Sequence, residues 1–282
     1  MIFLLLLSLI ALSSGGHEDG VIWNYEGPNG VEFWSDLSEN CGGSNQSPVN
    51  VICNDVVKTE MECFNFTDYK KRVPTVDIIN LNGRTVEVIP NEKIKLSGGG
   101  LNGNFELKQF HCHWGKDNDE GSEHTIDSKS YPLEVHFVHM NEKYSSLDVA
   151  LENPDGIAVL GVFYEIGHSA SAIRKIAEKI KYIRYANEET RMKFDSALIE
   201  LLPKSDCEYF RYQGSLTTPN CNEAVIWTLF PCPVSITQHL LNKFRVVHQS
   251  FPGKEKQLLG YNFRPTQPLN GRIIKGNTDC HC

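Results

Sequence analysis

The sequence predicts a mainly β fold: one domain built on a large, mostly antiparallel sheet, with a few short surface helices. Three observations carry this. Short apolar runs recur from Val73 onward, at 75–80, 85–90, 93–97, 105–114, 133–140 and 157–166. Turn signals at Leu81-Asn82-Gly83, Gly98-Gly99-Gly100 and Asn102-Gly103 separate several of them, the spacing of strands in a sheet. No internal repeat or long low-complexity segment divides the 282 residues, and at 40% apolar composition they suffice for one large core.

The first segment, MIFLLLLSLIALSSGG, holds an apolar run from Ile2 to Leu12 that is too short to cross a bilayer and is followed by small residues. Residues 1–16 are therefore expected to be a secretory signal peptide, cleaved between Ser13 and Gly16. No second apolar stretch reaches membrane-spanning length, and the C-terminal GNTDCHC lacks the apolar tail of a lipid-anchor signal. The expectation is a secreted, extracellular protein with no membrane attachment indicated. It divides into the signal peptide, a domain at 20–276 and a tail at 277–282. In that oxidising setting most of the nine cysteines should pair, and the odd number leaves at least one over. Asn65-Phe66-Thr67 is a glycosylation sequon; Asn45-Gln46-Ser47 also matches, but Pro48 after it argues against its use. A formal charge of −8 with no dense Lys/Arg block argues against a nucleic-acid surface, and Lys70-Lys71-Arg72 reads as a solvated turn.

Residues 20–50 are rich in Trp, Gly, Pro and Asn without periodicity, an irregular segment pinned by Trp23, Tyr25 and Trp34. Residues 170–186 set Ile173, Ile176, Ala177, Ile180 and Ile183 on one helical stripe. Ser235-Ile236-Thr237-Gln238 offers a capping box for a second helix, in which Ile236, Leu240 and Phe244 recur near helical spacing. Both helices read as cover for the sheet. About forty final residues, with several Pro and Gly, read as loops and edge strands.

The chemistry concentrates in 109–141, QFHCHWGKDNDEGSEHTIDSKSYPLEVHFVHMN, with five of the ten histidines. Alternate residues on a strand share a face, roughly 6–7 Å apart. His111 and His113 therefore project together, while Cys112 points away as a buried thiol. On the next strand Glu134, His136 and Val138 share a face and His139 points to the other. If the two strands are neighbours, His111, His113 and His136 converge on one ion. Three neutral imidazoles with a fourth position open is the catalytic form of zinc site; structural sites close all four, usually with Cys. A lone histidine is more often structural, but His-x-His plus a third beside a same-face Glu favours a metal site. Ligand imidazoles also need acceptors for their other nitrogen. Gln109 stands two before His111, and Glu134 two before His136, each on its ligand's face. His17, His168, His239, His248 and His281 have no partner pattern and read as surface or structural.

These residues resemble the zinc segments of the alpha-class carbonic anhydrases, with QFHCHWG, GSEHTID and LEVHFVHMN in the family's order. The similarity, to the exported extracellular type, covers nearly the whole chain after the signal peptide. CGGSNQSPV at 41–49 resembles the family's QSPV loop, SLTTP at 215–219 its SLTTP turn, and NFRP at 262–265 with QPL at 267–269 its C-terminal pattern. The resemblance implies a single domain around a twisted, largely antiparallel sheet of about ten strands with some parallel pairing. It implies reversible hydration of CO2 to bicarbonate and a proton, with Zn2+ on His111, His113 and His136 and with Gln109 and Glu134 supporting them. Thr217 would accept a hydrogen bond from zinc-bound hydroxide, donate its own proton to Glu123, and offer its N–H to anions. Inhibitory anions and sulfonamides are expected ligands. Val138, Val159, Leu216, Val225 and Trp227 match the apolar wall for CO2, with Thr217 and Thr218 also on the substrate side. Tyr25, Asn82 and Thr218 match positions that order cavity water, and His124 a structural histidine. Cys41 and Cys221 match a bridged pair; partners for Cys53, Cys63, Cys207, Cys232, Cys280 and Cys282 stay open.

One departure matters. Efficient members carry an Asn-Gly-His turn, and here it reads Asn82-Gly83-Arg84. Arginine stays protonated at physiological pH and cannot relay a proton by titrating. Buffer, a water chain or another group must renew the hydroxide. A rival reading is a non-catalytic carbonic-anhydrase-like extracellular binding module, yet His111, His113, His136, Glu123 and Thr217 all remain. A matrix protein of mineralised tissue is a third, without the inserted repeats to support it.

Overall fold

A computed structural model describes residues 22–168 and 171–278. The expected signal peptide, Cys280 and Cys282 lie outside the described residues. Seven strands come first: β1 (Asn50–Val51), β2 (Val57–Lys58), β3 (Phe64–Asn65), β4 (Arg72–Leu81), β5 (Thr85–Pro90), β6 (Lys95–Gly98) and β7 (Phe105–Trp114). Seven follow: β8 (Thr125–Ile126), β9 (Leu133–Asn141), β10 (Ile157–Ile166), β11 (Glu189–Ala197), β12 (Phe210–Gly214), β13 (Val225–Ile236) and β14 (Lys275–Gly276).

Twelve strands form one sheet in the order β11-β4-β5-β7-β9-β10-β13-β12-β14-β2, with β6 beside β7 and β3 beside β6 off that path. The mainly antiparallel sheet is as predicted, slightly larger than about ten strands because β3 and β6 extend it. Its parallel joins are β10–β13 and β14–β2. β7 and β9 lie near its middle and are buried on both faces over most of their length. β10, IAVLGVFYEI, is a nearly continuous apolar run, as an interior strand with a parallel neighbour requires. Gly161 within it allows a close approach beneath the site: a Cβ there would lie 2.6 Å from the Leu229 side chain and 3.0 Å from Glu134 Oε1.

The helices are α1 (Trp34–Leu37), α2 (Leu147–Leu151), α3 (Ser171–Lys179) and α4 (Gln238–Phe244). In α3 and the 3-10 turn after it, Ile173, Ile176, Ala177, Ile180 and Ile183 are all buried, the predicted stripe. The cap of α4 is Thr237, whose side chain accepts from Leu240 N. The expected box at Ser235 is corrected by two residues, because pairing of Ile236 with Ile166 carries β13 through that position. One large apolar cluster joins these helices to Phe110, Cys112 and Trp114. A second gathers Val138, Val159, Val225 and Trp227. The N-terminal segment expected to be irregular instead carries α1 and short 3-10 turns, but it is pinned by the aromatics as expected, with the Trp23, Tyr25 and Trp34 rings 5.1 to 5.7 Å apart.

Cys41 is bonded to Cys221, and Cys63 to Cys207. Cys53 and Cys232 are also disulfide-bonded, and Cys112 is a buried free thiol. Among the described residues no helix is long and apolar enough to cross a membrane. Asn65 is exposed, and its Oδ1 accepts from the Thr67 hydroxyl at 2.6 Å. Asn45, by contrast, is tied to Glu223 at 2.9 Å, beside buried Gln46 and Ser47.

Candidate metal centre

β7 and β9 are antiparallel neighbours in which His111 pairs with His136 and His113 with Glu134. Directly opposed residues share a face, so the three histidines meet. One nitrogen from each of His111, His113 and His136 lies within 4.8 Å of the others, and all three side chains are buried. The other nitrogen of each ring is held. His111 Nδ1 donates to Gln109 Oε1 at 2.9 Å, His113 Nδ1 to the Asn262 carbonyl at 2.6 Å, and His136 Nε2 to Glu134 Oε1 at 2.7 Å. These bonds set the tautomers and leave His111 Nε2, His113 Nε2 and His136 Nδ1 as free lone pairs.

His113 Nε2 is buried with no hydrogen-bond partner. Burial, helped by the His136 imidazole, lowers the His113 pKa to about 3. Burial and the two neighbouring imidazoles likewise hold His111 well below its ordinary value. A metal ligand must be the neutral imidazole, and an orphaned buried lone pair is costly unless something occupies it. Three imidazoles whose remaining nitrogens converge in this way fit a zinc-type ion with one coordination position to spare.

Glu134 sits at the centre of the support. Its Oε2 accepts the backbone N–H of Glu123 at 2.8 Å and of His124 at 2.9 Å, and Oε1 also meets His124 Nδ1 at 2.8 Å. Burial alone would raise its pKa, but His124 and His136 hold it well below the carboxylate range. The other nitrogen of His124 meets the Tyr212 hydroxyl at 2.7 Å, so neither is free for a metal. His139 points to the opposite face, between the Tyr69 hydroxyl at 2.6 Å and the Ala158 carbonyl at 3.0 Å.

Glu123 Oε2 lies 3.5 Å from His113 Nε2 and 3.8 Å from His136 Nδ1, while Oε1 accepts from Arg264 N at 2.8 Å. Burial raises its pKa well above the usual range; hydrogen bonding from the Thr217 side chain and the Arg264 N–H offsets part of this. The apolar residues form a continuous wall, since Val159 pairs with Val138 on one side and Trp227 on the other. Val225 belongs to the same cluster and Leu216 packs against it. The Trp227 ring lies 4.8 Å from that of His136, and its Nε1 donates to the Ser215 carbonyl at 3.0 Å, which ties the wall to the SLTTP turn. Tyr25, Asn82, Arg84 and Thr218 line a narrow opening together with His111 and His113. Cys221 N donates to the Thr218 carbonyl at 2.8 Å, so the Cys41–Cys221 bond anchors the turn that carries Thr217.

Sequence reasoning missed four groups. Asn262 orients His113 and also donates from Nδ2 to the Arg84 and Cys112 carbonyls at 3.0 and 2.8 Å. Arg264 supports Glu123, and Tyr212 supports His124. The NFRP pattern at 262–265 was the one signal for the first two, and it named no partner. Glu87, the fourth, pairs across the strands with His111 and is fully buried with both oxygens unpartnered; burial pushes its carboxyl up to about 8. Asn65 stands apart from the site, on β3.

A family model described as eukaryotic-type carbonic anhydrase matches residues 29–278. Among curated relatives, carbonic anhydrase 3 of Sus scrofa is 34% identical over 258 residues, covering 90% of this chain and 98% of its own. Carbonic anhydrase 7 of Homo sapiens is 36% identical over 259 residues, and carbonic anhydrase 1 of Monodelphis domestica 36% over 262. Each of these two matches covers 90% of this chain and 97% of the relative. Matches of this length join the sheet and the histidine cluster to one conclusion: the chain belongs to the eukaryotic-type carbonic anhydrase family.

Proposed function

We propose that the chain catalyses the reversible hydration of CO2 to bicarbonate and a proton, using zinc held by His111, His113 and His136. The observation that carries this reading is three buried, converging imidazoles, one with an orphaned Nε2, beside Glu123 and Thr217. When bound, zinc acidifies a water so that hydroxide is available near neutral pH, a behaviour for which this enzyme class is itself the standard example.

The protein's part is orientation. Gln109, Glu134 and the Asn262 carbonyl hold the ligand rings. The Thr217 hydroxyl donates its hydrogen bond to Glu123 and so presents a lone pair to the site, which selects an oxygen species that still carries a proton. Val138, Val159, Leu216, Val225 and Trp227 hold CO2 by contact, the only means available for a substrate without charge. Tyr25, Asn82 and Thr218 order the water between site and solvent. The Thr217 N–H serves bicarbonate, inhibitory anions and sulfonamides as a donor. Arg84 cannot relay protons by titrating, so the proton leaves to buffer or water.

The setting is extracellular, supported by the segment at 1–16, the Cys41–Cys221 and Cys63–Cys207 bonds and the exposed sequon at Asn65. Stripping the metal and assaying CO2 hydration tests the central reading. A folded, zinc-loaded protein without activity would instead support the non-catalytic binding module.

A further inference from the structure

Segments 174–184 and 243–256 carry nine of the 27 Lys and Arg residues but two of the 35 carboxylates. That is a local excess of +7 in a chain of net charge −8, and it leaves the rest of the chain at −15. The fold joins the two segments. α3 packs on α4, His248 N donates to the Arg184 carbonyl at 2.7 Å, and Ala186 N donates to the Ser250 carbonyl at 3.0 Å. The Tyr185 ring stacks on that of His248, 4.7 Å between centres. Burial lowers the His248 pKa, and Lys256 and Arg184 lower it further, so both cations lie within electrostatic reach of one ring. Lys179 Nζ and Lys181 Nζ lie 5.2 and 4.8 Å from the centre of the Tyr182 ring, which is 54% exposed.

Residues 251–258, FPGKEKQL, are all exposed. Gln249 N donates to the Gln257 carbonyl at 2.9 Å and His248 bridges to Leu258, so the segment stands out as a closed loop with 252–256 at its tip. Elsewhere on the surface cations meet carboxylates: Lys71 meets Asp68 at 2.7 Å, Lys95 meets Glu142 at 2.9 Å and Arg191 meets Asp77 at 2.7 Å. Among the described residues none of Lys179, Lys181, Arg184, Lys254 and Lys256 forms such a pair, although Glu178, Glu188 and Glu255 are close in sequence. Clustered cations without counter-charge repel one another, and a polyanion that supplies negative charge along its length relieves this.

We propose that Lys179, Lys181, Arg184, Lys254 and Lys256 form a docking surface for a sulfated polysaccharide, with the exposed Tyr182 and Phe251 rings against its sugar faces. Four of the five cations are lysines, compact point charges on flexible stems, which suit irregularly placed sulfates better than a rigid fork does. The acidic remainder of the chain repels a polyanion and so directs it to this one face. A membrane is the poorer fit. The tip of the loop is Pro252-Gly253-Lys254-Glu255-Lys256, and its large apolar residues, Phe251 and Leu258, stand at its two ends, so no apolar tip enters a bilayer. The choice of a glycan over a nucleic acid rests on the extracellular setting proposed above; the cationic surface does not.

The test titrates heparin oligosaccharides, and the same polymer after complete desulfation, into the zinc-loaded protein by calorimetry. The variants are Lys179→Gln/Lys181→Gln/Arg184→Gln and Lys254→Gln/Lys256→Gln, with Lys71→Gln/Lys95→Gln as the control, and circular dichroism confirms that each is folded. The wild type should bind heparin at about 0.1 M salt, more weakly as salt rises, and should not bind the desulfated polymer. Each cluster variant should lower the slope of log affinity against log salt by about one per cation removed, as counterion release from a linear polyanion requires. The control should match the wild type. No heparin binding, equal affinity for the desulfated polymer, or an affinity that survives in both cluster variants overturns the proposal. Tighter binding to duplex DNA or to phosphatidylserine vesicles than to heparin overturns it as well. Export is read separately, from the protein's appearance in culture medium, so a failure of the extracellular reading is told apart from a failure of the surface.

Discussion

Glu134 Oε1 lies 2.7 Å from His136 Nε2 in a fully buried pair, and this contact decides which nitrogen of His136 is left for the site. The same carboxylate takes the N–H groups of Glu123 and His124, so His136, Glu123 and His124 share one support. Glu134→Gln turns an amide N–H toward donors that need an acceptor. Zinc affinity should fall by about 10–100-fold, the range for losing such an orienting partner. Competition with a chromogenic chelator measures it, and unchanged affinity contradicts the role.

Thr217 is predicted to act on the reacting oxygen and not on the metal. Thr217→Val keeps the shape, removes the hydroxyl and takes from Glu123 one of the groups that lowers its pKa. Bound zinc should stay at one equivalent while kcat/KM drops on the order of 10²-fold, as for loss of one oriented polar group at a transition state. A loss of zinc alongside activity would make Thr217 a structural residue instead.

Arg84 is predicted to limit the renewal step. Arg84→His puts a titratable group where the guanidinium now stands, and a group with a pKa near 6.5 exchanges protons at neutral pH. Turnover in weak buffer should rise, with little gain in concentrated buffer. A wild-type rate that is already high and independent of buffer concentration would remove the premise.

Glu87 gives a pH prediction. Folding raises its carboxyl from 4.5 to about 8, so between those values the folded state keeps a proton that the unfolded state has released. Its contribution is therefore intact below pH 4.5 and is lost as pH rises toward 8. Glu87→Gln is near-isosteric and cannot ionise. Its advantage over the wild type should grow with pH, by up to roughly 1.4 kcal/mol per unit. Urea midpoints from about pH 5 to pH 8 read this out, and a pH-independent difference argues against a buried acid.

The two strands that carry the histidines were legible because alternation is a local property. It placed His111, His113, Glu134 and His136 on one face before any pairing was known, and only the adjacency of β7 and β9 had to come from the fold. Long-range partners left no such trace. Asn262 reaches His113 across 149 residues of sequence and uses its backbone carbonyl, which no side-chain pattern encodes. The two-residue strands β1, β2, β3, β8 and β14 are too short to show a period. The start of α4 was misplaced because Ser235 has cap chemistry yet pairs in β13, with Glu165. The Cys63–Cys207 bond joins residues 144 apart, and spacing alone could not select it. Arg84 was visible as a departure from the family's turn, but its stacking on Trp23 and its unused Nε were not.

The most direct test of the account is CO2 hydration followed through removal and return of zinc, with circular dichroism confirming that the fold persists. The account predicts activity in the loaded protein, loss on chelation, recovery with about one equivalent of Zn2+, and no recovery in a His111→Ala, His113→Ala or His136→Ala protein. A folded protein that binds one zinc at these histidines and still hydrates no CO2 would contradict it.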